Sequence, residues 1–259
     1  MKLNRTLLLL TAAAGLANAQ LAAPNARGVA SGHMHLNVTD PAVQKKFWTE
    51  VIGAQVYDEK GLTGVRAPGV IVLFRTAKPT GGSIGSTVNH IGFTVPNVDP
   101  YLGKVESAGY THTPVNANRQ IFVDGPDGLR VELSENKNES VPLRFHHVHF
   151  NIPDPKAAQT WYAEKFGATI TTRAKWDAGD VPGANLTYAA AEGAVTPTVG
   201  RALDHIGFEV KNLEAFCKKL AESGVKFETP YHPMPQMKLA WAFLTDPWGT
   251  RIELTEGLE

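Results

Sequence analysis

His33-Met34-His35-Leu36-Asn37-Val38, with Asp40 just after it, returns as His147-Val148-His149-Phe150-Asn151-Ile152, with Asp154 after it. Each copy sets two histidines two residues apart on a short apolar run. On a strand, side chains at i and i+2 share a face. Each run therefore aims an imidazole pair into one space while its other face packs. His146 alternates to the opposite face.

The repeat extends outward from these runs, at an offset of 114 residues (147 minus 33). Asp40-Pro41 and Asp154-Pro155 read as turns that cap a following helix. Phe47-Trp48 with Gly53, and Trp161-Tyr162 with Gly167, fit a helix that packs on a sheet and stops at a glycine. The middle strands match as Asn89-His90-Ile91-Gly92-Phe93-Thr94-Val95 and Asp204-His205-Ile206-Gly207-Phe208-Glu209-Val210. Amphipathic helices follow, ending at Ala108-Gly109 and Ser223-Gly224. The closing stretches, residues 122–133 and 243–254, each read as strand, Pro/Gly turn, strand. Each half is thus a doubled β-α-β-β-β unit, joined by a polar linker. Thr76 to Ser86 and Thr172 to Gly183 read as loops that could rim a pocket.

This three-part pattern, in order and twice, resembles the vicinal oxygen chelate superfamily. That group includes glyoxalase I, type I extradiol dioxygenases, methylmalonyl-CoA epimerase and the fosfomycin- and bleomycin-resistance proteins. The resemblance implies an α+β chain with tandem domains, each of two βαβββ units forming a cupped mixed sheet around a metal site. The expected division is a signal peptide at 1–19, a flexible leader at 20–30, a first domain at 31–136, a linker at 137–143 and a second domain at 144–259. Carried over, one metal set would be His33, His90 and Glu132, and the other His147, His205 and Glu253. Because units can also pair across domains, the sets could instead be His33 with His205 and Glu253, and His147 with His90 and Glu132. Two imidazoles and a carboxylate leave coordination positions open for a substrate's adjacent oxygens. Fe(II) or Mn(II) is favoured, and Zn, Ni or Co would also suit such a set.

The chain departs from the family in three places. His35 and His149 are additional histidines on the ligand face, candidates for acid–base work, orientation of a ligand, or ligation itself. The fourth ligand of glyoxalase I and the epimerase has no carboxylate counterpart in Val70-Ile71-Val72-Leu73-Phe74 or Asn185-Leu186-Thr187-Tyr188. The further His and Tyr of the extradiol enzymes are missing before both closing glutamates, so ring cleavage would need another base, such as His35, His149 or His232. Arg130 and Arg251, two residues before those glutamates, could hold an anionic substrate group or pair with a neighbouring carboxylate.

Composition agrees with a globular chain: 43% hydrophobic, 19% charged, formal net charge zero. There is no basic stripe for nucleic acid. Lys2 and Arg5, the apolar run Leu7 to Ala14, and Ala17-Asn18-Ala19 form the n-region, h-region and cleavage site of a signal peptide. The mature protein is then expected to be periplasmic or secreted, with no membrane association. Cys217 is the only cysteine and falls among Leu213, Phe216 and Leu220, as a core thiol would. The expected function is an exported divalent-metal enzyme acting on a small molecule with vicinal oxygens, leaning to dioxygenase chemistry. The alternatives are a glyoxalase-like lyase or isomerase and a non-catalytic small-molecule binder of the bleomycin-resistance kind. Either a monomer or a homodimer fits.

Overall fold

The computed structural model describes residues 21–258. The signal peptide expected at 1–19 lies outside the described residues. Four βαβββ units follow one another. Unit 1 holds β1 (Val29–Val38), α1 (Pro41–Lys46, continued by a π-helical turn Phe47–Ile52), β2 (Gln55–Glu59), β3 (Leu62–Ala67) and β4 (Val70–Thr76). Unit 2 holds β5 (Val88–Val95), α2 (Asp99–Ser107), β6 (Thr111–His112), β7 (Gln120–Asp124) and β8 (Arg130–Glu135). Unit 3 holds β9 (Arg144–Ile152), α3 (Pro155–Phe166), β10 (Thr169–Arg173), β11 (Trp176–Val181) and β12 (Ala184–Ala190). Unit 4 holds β13 (Leu203–Val210), α4 (Leu213–Glu222), β14 (Phe227–Met234), β15 (Leu239–Thr245) and β16 (Arg251–Glu256).

The helix signals act where the sequence places them. Asp40 Oδ1 accepts from the Ala42 and Val43 amides, and Asp154 Oδ1 from the Ala157 amide. Gly53 (φ 91°) and Gly167 (φ 70°) end their helices in the left-handed region, where a Cβ would be strained.

The sheets do not follow the sequence halves. One eight-stranded sheet runs β14-β15-β16-β13-β1-β4-β3-β2, joining units 4 and 1. The other runs β10-β11-β12-β9-β5-β8-β7-β6, joining units 3 and 2. At the seams, β1 pairs antiparallel with β13 and β5 with β9, while the flanking pairs β1·β4, β13·β16, β5·β8 and β12·β9 are parallel. The architecture is α+β, with two mixed sheets of two βαβββ units each. The repeat and the sheet are different divisions of the chain: each half contributes one unit to both sheets.

Within a half, the units are held back to back through aromatic cores. Trp48 of unit 1 lies edge-on to Phe93 of unit 2 (5.7 Å), and Phe166 of unit 3 stacks on Phe208 of unit 4 (4.8 Å). Trp48, Phe93 and Phe166 are fully buried, and burial of such rings dominates core energetics. On the sheet that joins units 4 and 1, the outer sheet, Tyr57, Ile71, Leu73 and Leu239 form a separate small cluster with Leu258.

Two expectations about irregular segments change. The stretch 172–183, read as a loop, is largely β10 and β11, a two-stranded ribbon at a sheet edge. The stretch 76–86, whose first residue Thr76 lines a cleft beside His35, is irregular beyond that residue, as the sequence reading expected. It is knitted to residues 196–202 by Thr80 N to Gly200 O, Ala202 N to Gly81 O and Arg201 Nε to Gly82 O, which ties the two sheets together. Residues 21–30, read as a flexible leader, pack on the fold. Asn25 Nδ2 donates to the Phe166 and Gly167 carbonyls, closing the end of α3, and β1 begins at Val29.

Candidate metal centres

Each seam carries one cluster of histidines, and its candidate ligands come from both halves. At the outer seam, His33 Nε2 and His205 Nε2 each lie 2.9 Å from the same oxygen, Glu253 Oε2. His35 joins them, its ring 4.7 Å from that of His205. One ligand atom from each of His33, His35, His205 and Glu253 falls within 4.8 Å of all the others. At the inner seam, His90 Nε2 is 3.0 Å and His147 Nε2 3.4 Å from Glu132 Oε2, and the two imidazole nitrogens are 3.4 Å apart. His149 stacks on His90 at 4.5 Å, and its other neighbour is Trp176 at 5.2 Å. The grouping across halves is therefore the one adopted, and His33 does not meet His90 or Glu132.

The register explains the convergence. His35 stands opposite His205 across the seam, and His90 opposite His149. Glu253 is the partner of Gly207, and Glu132 of Gly92. Those glycines are where the first histidine of the other unit lies. A Cβ on Gly207 would sit 2.1 Å from His33 Cε1, and one on Gly92 would sit 1.9 Å from His147 Cε1. The glycine of each His-Ile-Gly-Phe is thus a seat for an imidazole from the opposite half.

The hydrogen bonds behind the ligands set their tautomers. Asp204 Oδ1 lies 2.7 Å from His205 Nδ1 and accepts a hydrogen bond from its N–H, and Asn89 Oδ1, 2.9 Å away, does the same for His90 Nδ1. A neutral imidazole so oriented turns a bare Nε2 lone pair toward a carboxylate oxygen. That contact needs a proton or a cation between them, so the donor set fits a divalent metal. In its absence, burial opposes charge on His205, but the hydrogen bonds to Asp204 and Glu253 outweigh it and raise its pKa. Burial would raise Glu253, but the charge and hydrogen bonds of His33 and His205 hold it well below the usual carboxylate range. Burial, then His205 and His33, pushes His35 down to about 3. Burial also pushes His147 to about 3, and burial with His90 and His147 pushes His149 to about 2. These imidazoles are neutral at physiological pH, the state a metal takes.

The second-rank expectations divide. Arg130 pairs with Asp124 (2.9 Å), and Arg251 with Glu228 (2.9 Å) and Asp204 (3.3 Å), so both sit on carboxylates. His146 is 2.9 Å from His147 through their Nδ1 atoms, nearer the site than its alternation implied. His232 is exposed on β14 beside Trp241. The positions read as lacking a fourth ligand do face the histidines: Ile71 and Leu73 pair with His33 and His35, and Asn185 and Thr187 with His147 and His149.

Three groups of contacts were not anticipated. Asp204 anchors a network with Asn37 (3.1 Å), Arg75 (3.0 Å) and the Gly200 amide (2.8 Å). The Asp-His and Asn-His pairs were visible in the sequence as signals for it. Glu132 Oε1 accepts from Arg173 (3.2 Å), Gln120 (3.0 Å) and Ser134 (2.5 Å). Arg173 was hidden in the stretch read as a loop. A cleft of about 340 Å³ opens beside His35, lined by Leu62, Thr63, Leu73, Phe74 and Thr76 among others.

The profile of the Glyoxalase/Bleomycin resistance protein/Dioxygenase superfamily matches residues 30–133 and 144–254. The chain belongs to this superfamily. Among solved structures it resembles glyoxalase I from Zea mays, with a TM-score of 0.68 at 20% identity over 88% of this chain and 92% of that one. It also resembles a Bacillus subtilis protein provisionally assigned as a dioxygenase, with a TM-score of 0.66 at 17% identity over 93% and 87% of the two chains. At such identity the likeness is one of fold. No curated protein matches the sequence. The matched segments coincide with the sequence repeat, and both seams that carry histidines lie inside them.

Proposed function

We propose that this superfamily member is a divalent-metal-dependent enzyme acting on a small molecule that presents two adjacent oxygens. The observation that carries the reading is the outer cluster, where four ligand atoms from three strands converge within 4.8 Å. A metal there would be held by His33, His205 and Glu253, with His35 alongside. When bound it would supply Lewis acidity and, if redox-active, oxygen chemistry. The chain's own residues do the rest. Asp204 fixes the His205 tautomer and orients its ring. Ile71 and Leu73 leave the fourth protein-ligand position of an isomerase without a carboxylate. His35, neutral and beside the cleft, is placed to accept a hydrogen bond from a substrate hydroxyl. The cleft's Leu62, Leu73 and Phe74 suit an apolar body behind the polar oxygens. This combination favours an oxygenase over a glyoxalase-like lyase or isomerase. A non-catalytic binder would have no need of an Asp204–His205 pair.

The test is elemental analysis of the protein purified without chelator under low oxygen. Metal bound in the parent and reduced in His205→Ala supports the reading. Iron or manganese then directs the assay to oxygen uptake with catechols, and zinc or nickel directs it to isomerisation and hydrolysis. A parent that neither carries metal nor takes it up on reconstitution overturns the enzyme reading in favour of a small-molecule binder. We propose export as well, on the strength of residues 1–19. N-terminal sequencing of the mature chain should begin at Gln20, and a retained Met1 would refute it.

A further inference from the structure

The two centres are related by the repeat yet differ in three respects, all in one direction. Behind the middle histidine, the outer centre has a carboxylate, Asp204, where the inner has the neutral Asn89. At the end of the second strand of the unit, the offset of 114 residues places Glu59 in unit 1 where unit 3 has Arg173. Glu59 pairs with Arg66, whereas Arg173 reaches into the inner cup and lies 3.2 Å from Glu132 Oε1, with 17% of its side chain exposed. At the ligand carboxylate itself, Glu132 Oε1 accepts from Arg173, Gln120 and Ser134. The strand register gives Gln120 and Ser134 the counterparts Trp241 and Thr255. Thr255 turns to Glu209 instead (2.7 Å), and Glu253 Oε1 has no donor among the described residues.

We infer that the two centres are unequal metal sites, and that Arg173 withholds the inner one. A guanidinium bonded to the ligand carboxylate neutralises the charge that would attract a dication and repels the dication at close range. At the inner centre Glu132 Oε2 faces His90 and His147, but its other oxygen is held by Arg173, and the group of atoms that all lie within 4.8 Å of one another is His90, His147 and His149, whereas at the outer centre that group includes Glu253. Arg75 and Arg251 reach the outer centre only at Asp204, one residue behind the ligand His205. The carboxylate behind His205 raises the basicity of that ligand, and Asn89 does less for His90. The outer centre therefore loads first and tightly, and the inner one is a weak site.

This inference rests on the metal reading above, and a Co(II) titration of the metal-free full chain, read by visible absorbance and by elemental analysis, separates the two. The parent should bind one tight equivalent, lost in His205→Ala and kept in His90→Ala. Arg173→Met should gain a second site bound at least tenfold more tightly than the parent's inner one, and Arg173→Lys should behave as the parent. Retention of the outer equivalent in Arg173→Met shows that this variant is folded. Two equal sites in the parent, loss of the tight equivalent in His90→Ala, or an inner affinity unmoved by Arg173→Met would each overturn the inference while leaving the metal reading intact. Failure of every variant and the parent to bind Co(II) would overturn both.

Discussion

At the scale of the residue, Gly207 decides more than any side chain around it. Its missing Cβ is the space that His33 occupies, at a separation of 2.1 Å from the ring carbon, so no small adjustment could admit a methyl group. Gly207→Ala should displace His33 and abolish tight metal binding at the outer centre with the inner centre unaffected. Gly92→Ala should displace His147 and abolish the weak binding at the inner centre while the tight equivalent is kept. Isothermal titration with Co(II) on each variant distinguishes the two. Cys217 gives a second residue-scale expectation. Burial pushes its thiol up to about 11, so at pH 8 roughly one molecule in a thousand carries thiolate. Iodoacetamide at pH 8 should leave the folded chain unmodified and label it once in denaturant, and rapid labelling of the native protein would refute the buried-thiol assignment. The convergence of the candidate ligand residues was legible because histidines spaced by two on apolar runs, repeated, share one face of a strand. Arg173 was not legible, because an arginine's partner is set by which strand lies across the cup.

At the scale of the element, the structure bears out what local chemistry dictates and departs where tertiary context rules. Asp40, Asp154, Gly53 and Gly167 announced their helix ends, and each does so through a bond or dihedral internal to a few residues. The ribbon β10–β11 was misread for an equally physical reason. β10 buries none of its residues fully, so no period-two apolar signal marks it, and Gly179, Pro182 and Gly183 imitate a loop. What fixes the ribbon is Gln159 of α3, nearly fully buried, whose Nε2 donates to the Thr171 (2.8 Å) and Ala178 (2.7 Å) carbonyls. Gln159→Met would leave both carbonyls without that donor, at a cost of about 1–3 kcal/mol. Urea unfolding should show the loss, and amide exchange should quicken in residues 169–181 before elsewhere. Asp154→Ala should cost about 1 kcal/mol by the same measurement.

At the scale of the molecule, the duplication was plain from sequence, but the choice between pairing within halves and across them was not. Both pairings bury the same apolar faces and use the same strand signals. They differ only in which edges meet, which is a property of long-range geometry. The outcome has a testable corollary. A chain cut within 137–143 yields a first half whose β1 and β5 have lost their seam partners and a second half whose β9 and β13 have lost theirs, and all four strands then present open edges. Expressed alone, neither half should behave as a folded monomer in size-exclusion chromatography and circular dichroism. Co-expressed, they should co-purify and regain the outer metal site. A folded, metal-binding monomer from residues 21–136 alone would refute the crossed pairing.

The crossed seams also impose an order on synthesis. The inner cup joins residues 92 and 147 and lacks nothing once Ala190 has been made, whereas the outer cup must bring residue 33 to residue 207 and needs strands up to Glu256. A nascent chain growing from its N-terminus therefore has its middle ready to close first, around short-range contacts. Its opening strand must wait with an unpaired edge until β13, Leu203–Val210, has been made. The protein's most exposed moment is thus neither its beginning nor its end, but the interval in which a finished interior waits for its first strand's partner to be made.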